Sequence, residues 1–325
     1  MTMDAPLSRS ERKRQHQAAL QQQNTQMSGK AASSGENKVA SIAKKLKKGS
    51  FLPLAEDQSF WRKCVVEYDG SAFSGFQAQE QAGKMRTVQE TIEDAILRTT
   101  GETVRVRGAS RTDKGVHARG QVIAFSSRCT ADDKSFRDAL NTRLPEDVVC
   151  HSMTQVDGTE GFDPRANSIG KIYEYRIVYG AIRPVLGRHH VWFMKKTLDT
   201  TKMRAAIEFL VAPPAAKDFS AFTPPKSSQL NDEGGKGNVC TLFSAELVDE
   251  TADQEAESRQ ICMRFHGDRF LYKMVRNLVG TLVDVGLGKL EPETIPVIFE
   301  TKDRSKAGQG APPHGLTLVR VMYNS

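Results

Sequence analysis

The chain has 325 residues, enough for two ordinary domains and a large core, with a formal net charge of +7. Residues 1–50 hold ten Lys or Arg against three Asp or Glu, so the whole excess sits there; if the balanced remainder binds nucleic acid, it does so through a local patch. Five scattered cysteines with no C-x-x-C pair argue against a zinc site or a disulfide framework and fit a reducing, intracellular compartment, and no apolar run approaches membrane-spanning length.

In chain order, residues 1–50 are rich in Gln, Ser, Lys and Ala and poor in aromatics, the composition of a disordered tail. Its run Lys44-Lys45-Leu46-Lys47-Lys48 suits a nuclear address, a nucleic-acid arm or a passive solubilising segment. Asp4 and Glu11 weaken a mitochondrial presequence, so nucleus or cytoplasm is the favoured compartment, with the mitochondrion as the alternative. From Phe60 the pattern becomes globular. Lys63–Tyr68 reads as a strand and Asp69-Gly70-Ser71 as a turn. Thr87 to Arg98 reads as a helix, with Thr87 and Glu90 as a capping-box pair and Val88, Ile92, Ala95 and Ile96 at helical spacing.

A strand beginning at Thr103, Val104 and Val106 then leads into the stretch from Arg107 to Phe125, RGASRTDKGVHARGQVIAF, which ends as a strand over Gln121–Phe125. A helix over Asp133–Leu144 and a strand over Asp147–Val156 follow. Strand, helix, strand, strand, helix, strand is the ferredoxin-like order. The second half repeats it without repeating the sequence. Ile172–Tyr179 is a strand, Thr201–Val211 a helix, 224–237 a flexible loop, and Thr241–Val248 and Gln260–His266 are strands. A long helix runs from Asp268 to about Val285 with Leu271, Met274, Leu278, Leu282 and Val285 as its buried face. Arg269, Lys273 and Arg276 form its basic stripe, on which the small Gly280 hints at close packing. Pro292–Glu300 is a shorter helix and Leu316–Tyr323 closes the sheet. The expected fold class is α+β, with a tail at 1–50 and two ferredoxin-like units, 51–160 and 161–325. Their joined, mixed but mainly antiparallel sheet carries a central cleft.

Asp113-Lys114-Gly115 makes a tight reversal, because Asp bonds its own backbone and Gly tolerates positive φ. Arg111, Lys114, His117 and Arg119 surround that acid with bases, an arrangement suited to a carboxylate nucleophile or base acting on a polyanion. The plainer reading is that Asp113 is only a turn former. Competing chemistry finds no support: there is no phosphate loop of the G-x-x-x-x-G-K-[ST] kind, no G-x-G-x-x-G after a strand and no H-E-x-x-H. His189-His190, if in a strand, would point to opposite faces and share no metal.

Six blocks, in order, resemble the TruA-type tRNA pseudouridine synthases: YDGSAFSGFQAQ with TVQETIEDAI, SRTDKGVHARGQV, ALNTRLPEDV, FDPRANSIGKIYEYRI, FLYKMVRNLVGTLVDVGLGK and GLTLVRVMY. The resemblance spans about Lys63 to Tyr323. It implies a cofactor-free enzyme that converts uridine to pseudouridine in tRNA, in or near the anticodon stem-loop, and a homodimer, as in bacterial members. It implies that Asp113 is the nucleophile, that Arg111 helps extrude the target nucleotide, that Tyr173 packs on the target base, and that Arg276 pairs with the nucleophile. Three departures stand out. Ser110 replaces the usual Gly or Ala, Lys114 replaces the bacterial Ala and looks eukaryotic, and Val239-Cys240-Thr241-Leu242 lacks an arginine common at that place. The rival from another class is a catalytically silent RNA-binding protein on the same scaffold.

Overall fold

The computed structural model describes residues 59–78, 85–156, 162–214, 216–225, 237–252 and 257–324; the expected tail and most of the expected loop at 224–237 lie outside them. Alternation makes strand β1, Phe60–Tyr68, whose Cys64, Val66 and Tyr68 are buried. Thr87 caps helix α1, Val88–Thr100: its hydroxyl oxygen accepts from the Glu90 N–H and its O–H donates to the Glu90 carboxylate, so the expected pair meets, with the return bond made by the hydroxyl and not by the backbone N–H. Val88, Ile92, Ala95 and Ile96 are fully buried beneath it. Strands β2 (Arg107–Gly108) and β3 (His117–Ser127), helix α2 (Asp133–Asn141) and strand β4 (Val148–Val156) complete the first half. Phe136 of α2 meets Phe125 of β3 edge-on, and the buried Arg62 of β1 pairs with Asp133 at the start of α2.

The second half runs through β5 (Ser168–Gly180), β6 (Trp192–Met194), α3 (Thr200–Val211), β7 (Ala216–Asp218), β8 (Val239–Asp249), β9 (Ser258–Gly267), α4 (Met274–Gly286), α5 (Thr294–Thr301) and β10 (Leu316–Tyr323). Among the described residues the strands make one sheet in the order β4-β1-β3-β10-β5-β9-β8-β7, with β2 also on β3 and β6 also on β5. The runs β4-β1-β3-β2 and β10-β5-β9-β8 are the same arrangement, antiparallel throughout, with the last strand of each half beside its first. The fold is therefore the α+β, doubled ferredoxin-like order expected from the sequence. A short parallel pair, Thr317 to His117 and Leu318 to Ala118, joins the halves just after the Asp113 turn. No helix among the described residues is long and apolar enough to cross a membrane.

Helix α4 is apolar on nearly every side because it is walled in. A Cβ on Gly280 would lie 1.8 Å from the Gln309 carbonyl oxygen, so only glycine lets the 307–311 segment cross the helix there. Asn277 donates to the Phe222 carbonyl and accepts from Arg304. This wedge fixes the helix end that carries Arg276.

Several boundaries differ from expectation. Residues 103–106 are not a strand. Val106 gives its N–H to the Glu93 carboxylate (2.9 Å) and its carbonyl accepts from the Gln89 amide (3.0 Å), so side chains of α1 take the groups a ladder would have used. Helix α4 starts at Met274, not Asp268. Asp268 accepts from the N–H groups of Thr241 and Arg269, and Lys273 sits in the left-handed region (φ 58°), which breaks the helix before it begins. The stripe of Arg269, Lys273 and Arg276 is thus not a helix face; only Arg276 is on the helix. Helix α2 ends at Asn141, three residues short of the expected Leu144.

Candidate active site

The Asp113 turn is held from three sides. Its own carbonyl accepts from Val116 N–H (3.1 Å), and Gly115 supplies the positive φ of 78°. From the segment after β1, Phe76 N–H donates to the Thr112 carbonyl (3.0 Å), while the Thr112 hydroxyl bonds the Tyr68 hydroxyl (2.7 Å). From β3, the fully buried Gln121 grips the Ser110 peptide at both ends: its Oε1 accepts from Ser110 N–H (3.1 Å) and its Nε2 donates to the Ser110 carbonyl (2.7 Å). Residues 110–113 therefore carry almost no freedom of their own.

The structure brings two of the four sequence candidates into direct contact. Arg276 Nη1 donates to Asp113 Oδ2 at 2.8 Å, with both side chains a little under one-fifth exposed. The guanidinium is itself aimed, since Nε donates to the Ala311 carbonyl (2.8 Å) and Ala311 N–H returns a bond to the Arg276 carbonyl (2.9 Å). Tyr173, on β5, is buried beside them. Its hydroxyl meets Ser110 Oγ at 2.6 Å and its ring meets Phe270 edge-on at 5.0 Å. Burial pushes the Tyr173 hydroxyl up to about 12, against the pull of the Ser110 bond and with a further push from the Asp113 charge, so it stays a neutral phenol. Arg111 is exposed on the wall of the same cleft, with no hydrogen bond or ion pair to Asp113. The cleft encloses about 1100 Å³ and adds Arg107, Lys171 and Arg269 as basic lining. It runs on past Asp113 and Arg276 into a second groove bordered by Lys114 and Tyr272.

Sequence reasoning missed the support of this site: Ser110, Gln121, Tyr68 and Phe270. Gln121 reads as one more polar position in an alternating strand, and nothing local says that it faces inward. His117 lies behind the turn. Its Nδ1 accepts from Gly70 N–H (3.0 Å), which leaves the proton on Nε2, facing the carbonyl oxygens of His189 (3.0 Å) and His314 (3.1 Å). Burial and the neighbouring His190 hold its pKa below the usual imidazole value, although Asp69 pulls the other way. Asp69, His117 and His190 bring ligand atoms within 4.8 Å of one another, the one such group among the described residues. Both ring nitrogens of His117 are already engaged, so the group serves as a clasp between the Asp69 turn, β3 and the segments before β6 and β10. His190 meets His117 here, not its sequence neighbour His189.

The family model described as tRNA pseudouridine synthase matches residues 64–160 and 216–324. The chain is 40% identical over 265 residues to "tRNA pseudouridine synthase A 1" of Bacillus cereus, covering 81% of this chain and 98% of that one. It is 38% identical over 261 residues to "tRNA pseudouridine synthase A" of Clostridium kluyveri and 40% identical over 261 residues to that of Acetivibrio thermocellus, in each case over 80% of this chain and 98% of the relative.

Proposed function

The chain belongs to the tRNA pseudouridine synthase family, and from that premise we propose that it isomerises uridines of tRNA to pseudouridine with Asp113 as the reacting carboxylate. The observation that carries the reading is the 2.8 Å pair of Asp113 and Arg276, set next to the buried Tyr173 in a basic cleft. The reaction breaks the C1′–N1 bond, makes a C1′–C5 bond, moves a proton onto N1 and releases the one on C5. It needs the base out of the helix, a carboxylate beside the sugar and the base, and walls that keep the detached uracil in place. The target nucleotide is extruded into the cleft and Arg111 occupies the space it leaves, with its guanidinium available to phosphate. Tyr173 packs on the uracil. Arg276 aims Asp113, whose carboxylate attacks C1′, attacks C6 or takes the 2′-proton; each route requires the ionised carboxylate.

The uridines acted on lie in or near the anticodon stem-loop, the halves 51–160 and 161–325 close on them from either side, and the working form is a homodimer in the nucleus or cytoplasm. The test is tritium release by the purified protein from tRNA labelled at uridine C5, followed by mapping of the modified positions. Release with pseudouridines in the anticodon arm supports the reading. Tight tRNA binding with no release would leave only a binding protein.

A further inference from the structure

The hydroxyl–hydroxyl bond between Ser110 and Tyr173 spans the two halves of the sheet. Tyr173 belongs to β5, paired with β9 and β10, whereas Ser110 belongs to the strip that ends in Asp113. Three facts make this contact more than a chance meeting. It is short, 2.6 Å. Tyr173 is only 6% exposed, so its hydroxyl has little water to turn to. And Ser110 is not loose: Gln121 clamps its peptide at both ends, and Gln121 also lies 3.5 Å from the Tyr68 hydroxyl that holds Thr112. One buried amide thus fixes the residue that anchors Tyr173 and reaches the residue just before Asp113.

We propose that Ser110, locked by Gln121, is a positioning residue that keeps the ring of Tyr173 in register with the carboxylate of Asp113 across the junction of the two halves. This rests on the synthase reading above. The physical reason is the geometry of the chemistry. The uracil must turn between bond breaking and bond making while it stays beside Asp113, so the wall it lies against and the acid it reacts with have to be held as one unit. A displacement of the order of 1 Å between such groups is enough to slow a reaction about 100-fold. Ser110 touches neither sugar nor base; it acts through Tyr173. The phenol and the serine are both neutral, so the brace does not depend on pH across the physiological range.

The test is a double-mutant cycle on the full chain, Ser110→Ala and Tyr173→Phe alone and together, read by single-turnover tritium release, tRNA binding and thermal melting. If the brace exists, each single variant slows the bound-state rate by roughly 10- to 100-fold, the size of a lost buried hydrogen bond, while tRNA affinity stays within about threefold. The double variant is then no slower than Tyr173→Phe, because Ser110 has nothing left to hold. Ser110→Thr retains the rate, and Ser110→Val, which has the shape of threonine without the hydroxyl, does not. Additive losses in the double variant, a loss in affinity alone, or a Ser110→Ala rate equal to the parent's would overturn the inference. Unfolding of a variant shows in the melt, and the Thr and Val pair then decides. Failure of the parent to release tritium would instead remove the synthase reading, which the same plate reports separately.

Discussion

Replacing Arg276 by alanine should strike the chemical step and spare binding. At 2.8 Å, two unit charges attract by about 6 kcal/mol at an effective dielectric near 20, before either is charged for leaving water. Losing one partner of a fully buried pair costs about 3–5 kcal/mol. Here the side chains are 17% and 19% exposed, so water screens part of the loss and about 2–4 kcal/mol is the fitting range. That converts to a rate lower by roughly 30- to 1000-fold. Arg276→Lys keeps a charge but cannot bond Asp113 and the Ala311 carbonyl at once from separate nitrogens, so it should fall between parent and alanine variant. The assay is single-turnover tritium release with enzyme in excess, alongside filter binding. A variant with the parental bound-state rate and weakened affinity would show that Arg276 only contacts phosphate and that its pairing with Asp113 has no part in the chemistry.

Three further outcomes follow. Deleting residues 1–48, which hold the net charge, should weaken tRNA binding and lower the slope of log affinity against log salt by roughly 0.7–0.9 per lost phosphate contact; an unchanged slope would leave the tail without a binding role. Gly280→Ala should destabilise the chain by about 1–3 kcal/mol in urea unfolding, since its methyl meets the Gln309 carbonyl; an unaffected midpoint would mean the 307–311 segment yields freely. Because burial lowers the His117 pKa, the unfolded chain takes up a proton below pH 6.5 that the folded His117 refuses. The contribution of His117 to stability is therefore whole above that pH and is lost as pH falls towards its folded value. Melting at about pH 5.5 should be lower than at about pH 7.5, by less in His117→Gln; an equal drop in both would assign the effect to other groups.

What could be read in the sequence, and what could not, follows the range of the interactions concerned. Helix α1 was legible because its cap and its apolar face are set by residues three and four apart. The doubled strand order was legible because its longer strands alternate. Strands β6 and β7, three residues each, are too short to show a period. Leu271 and Met274 are buried as their spacing implied, but Leu271 lies in a turn, since Met274 N–H bonds the Leu271 carbonyl and Lys273 adopts a left-handed backbone. Helical spacing therefore reported the burial and not the helix. At the site, Asp113, Arg111, Tyr173 and Arg276 came from motif blocks whose order resembles a known family. The bond from Ser110 to Tyr173 joins residues 63 apart, and Gln121 faces inward only because β3 is central in the sheet. Neither fact is local, so neither was visible.

The role of Asp113 is tested most directly by Asp113→Asn. Asparagine suits the same turn, Val116 would still donate to the backbone carbonyl and the amide oxygen can still accept from Arg276, so the variant should fold and keep the parental tRNA affinity, with melting lowered only by the lost charge of the pair. An amide can neither form the adduct nor take a proton, so tritium release should vanish. Melting, filter binding and tritium release on one preparation decide it. A variant that folds, binds and still converts uridine at more than a few per cent of the parental rate would contradict the assignment and return Asp113 to the role of a turn former.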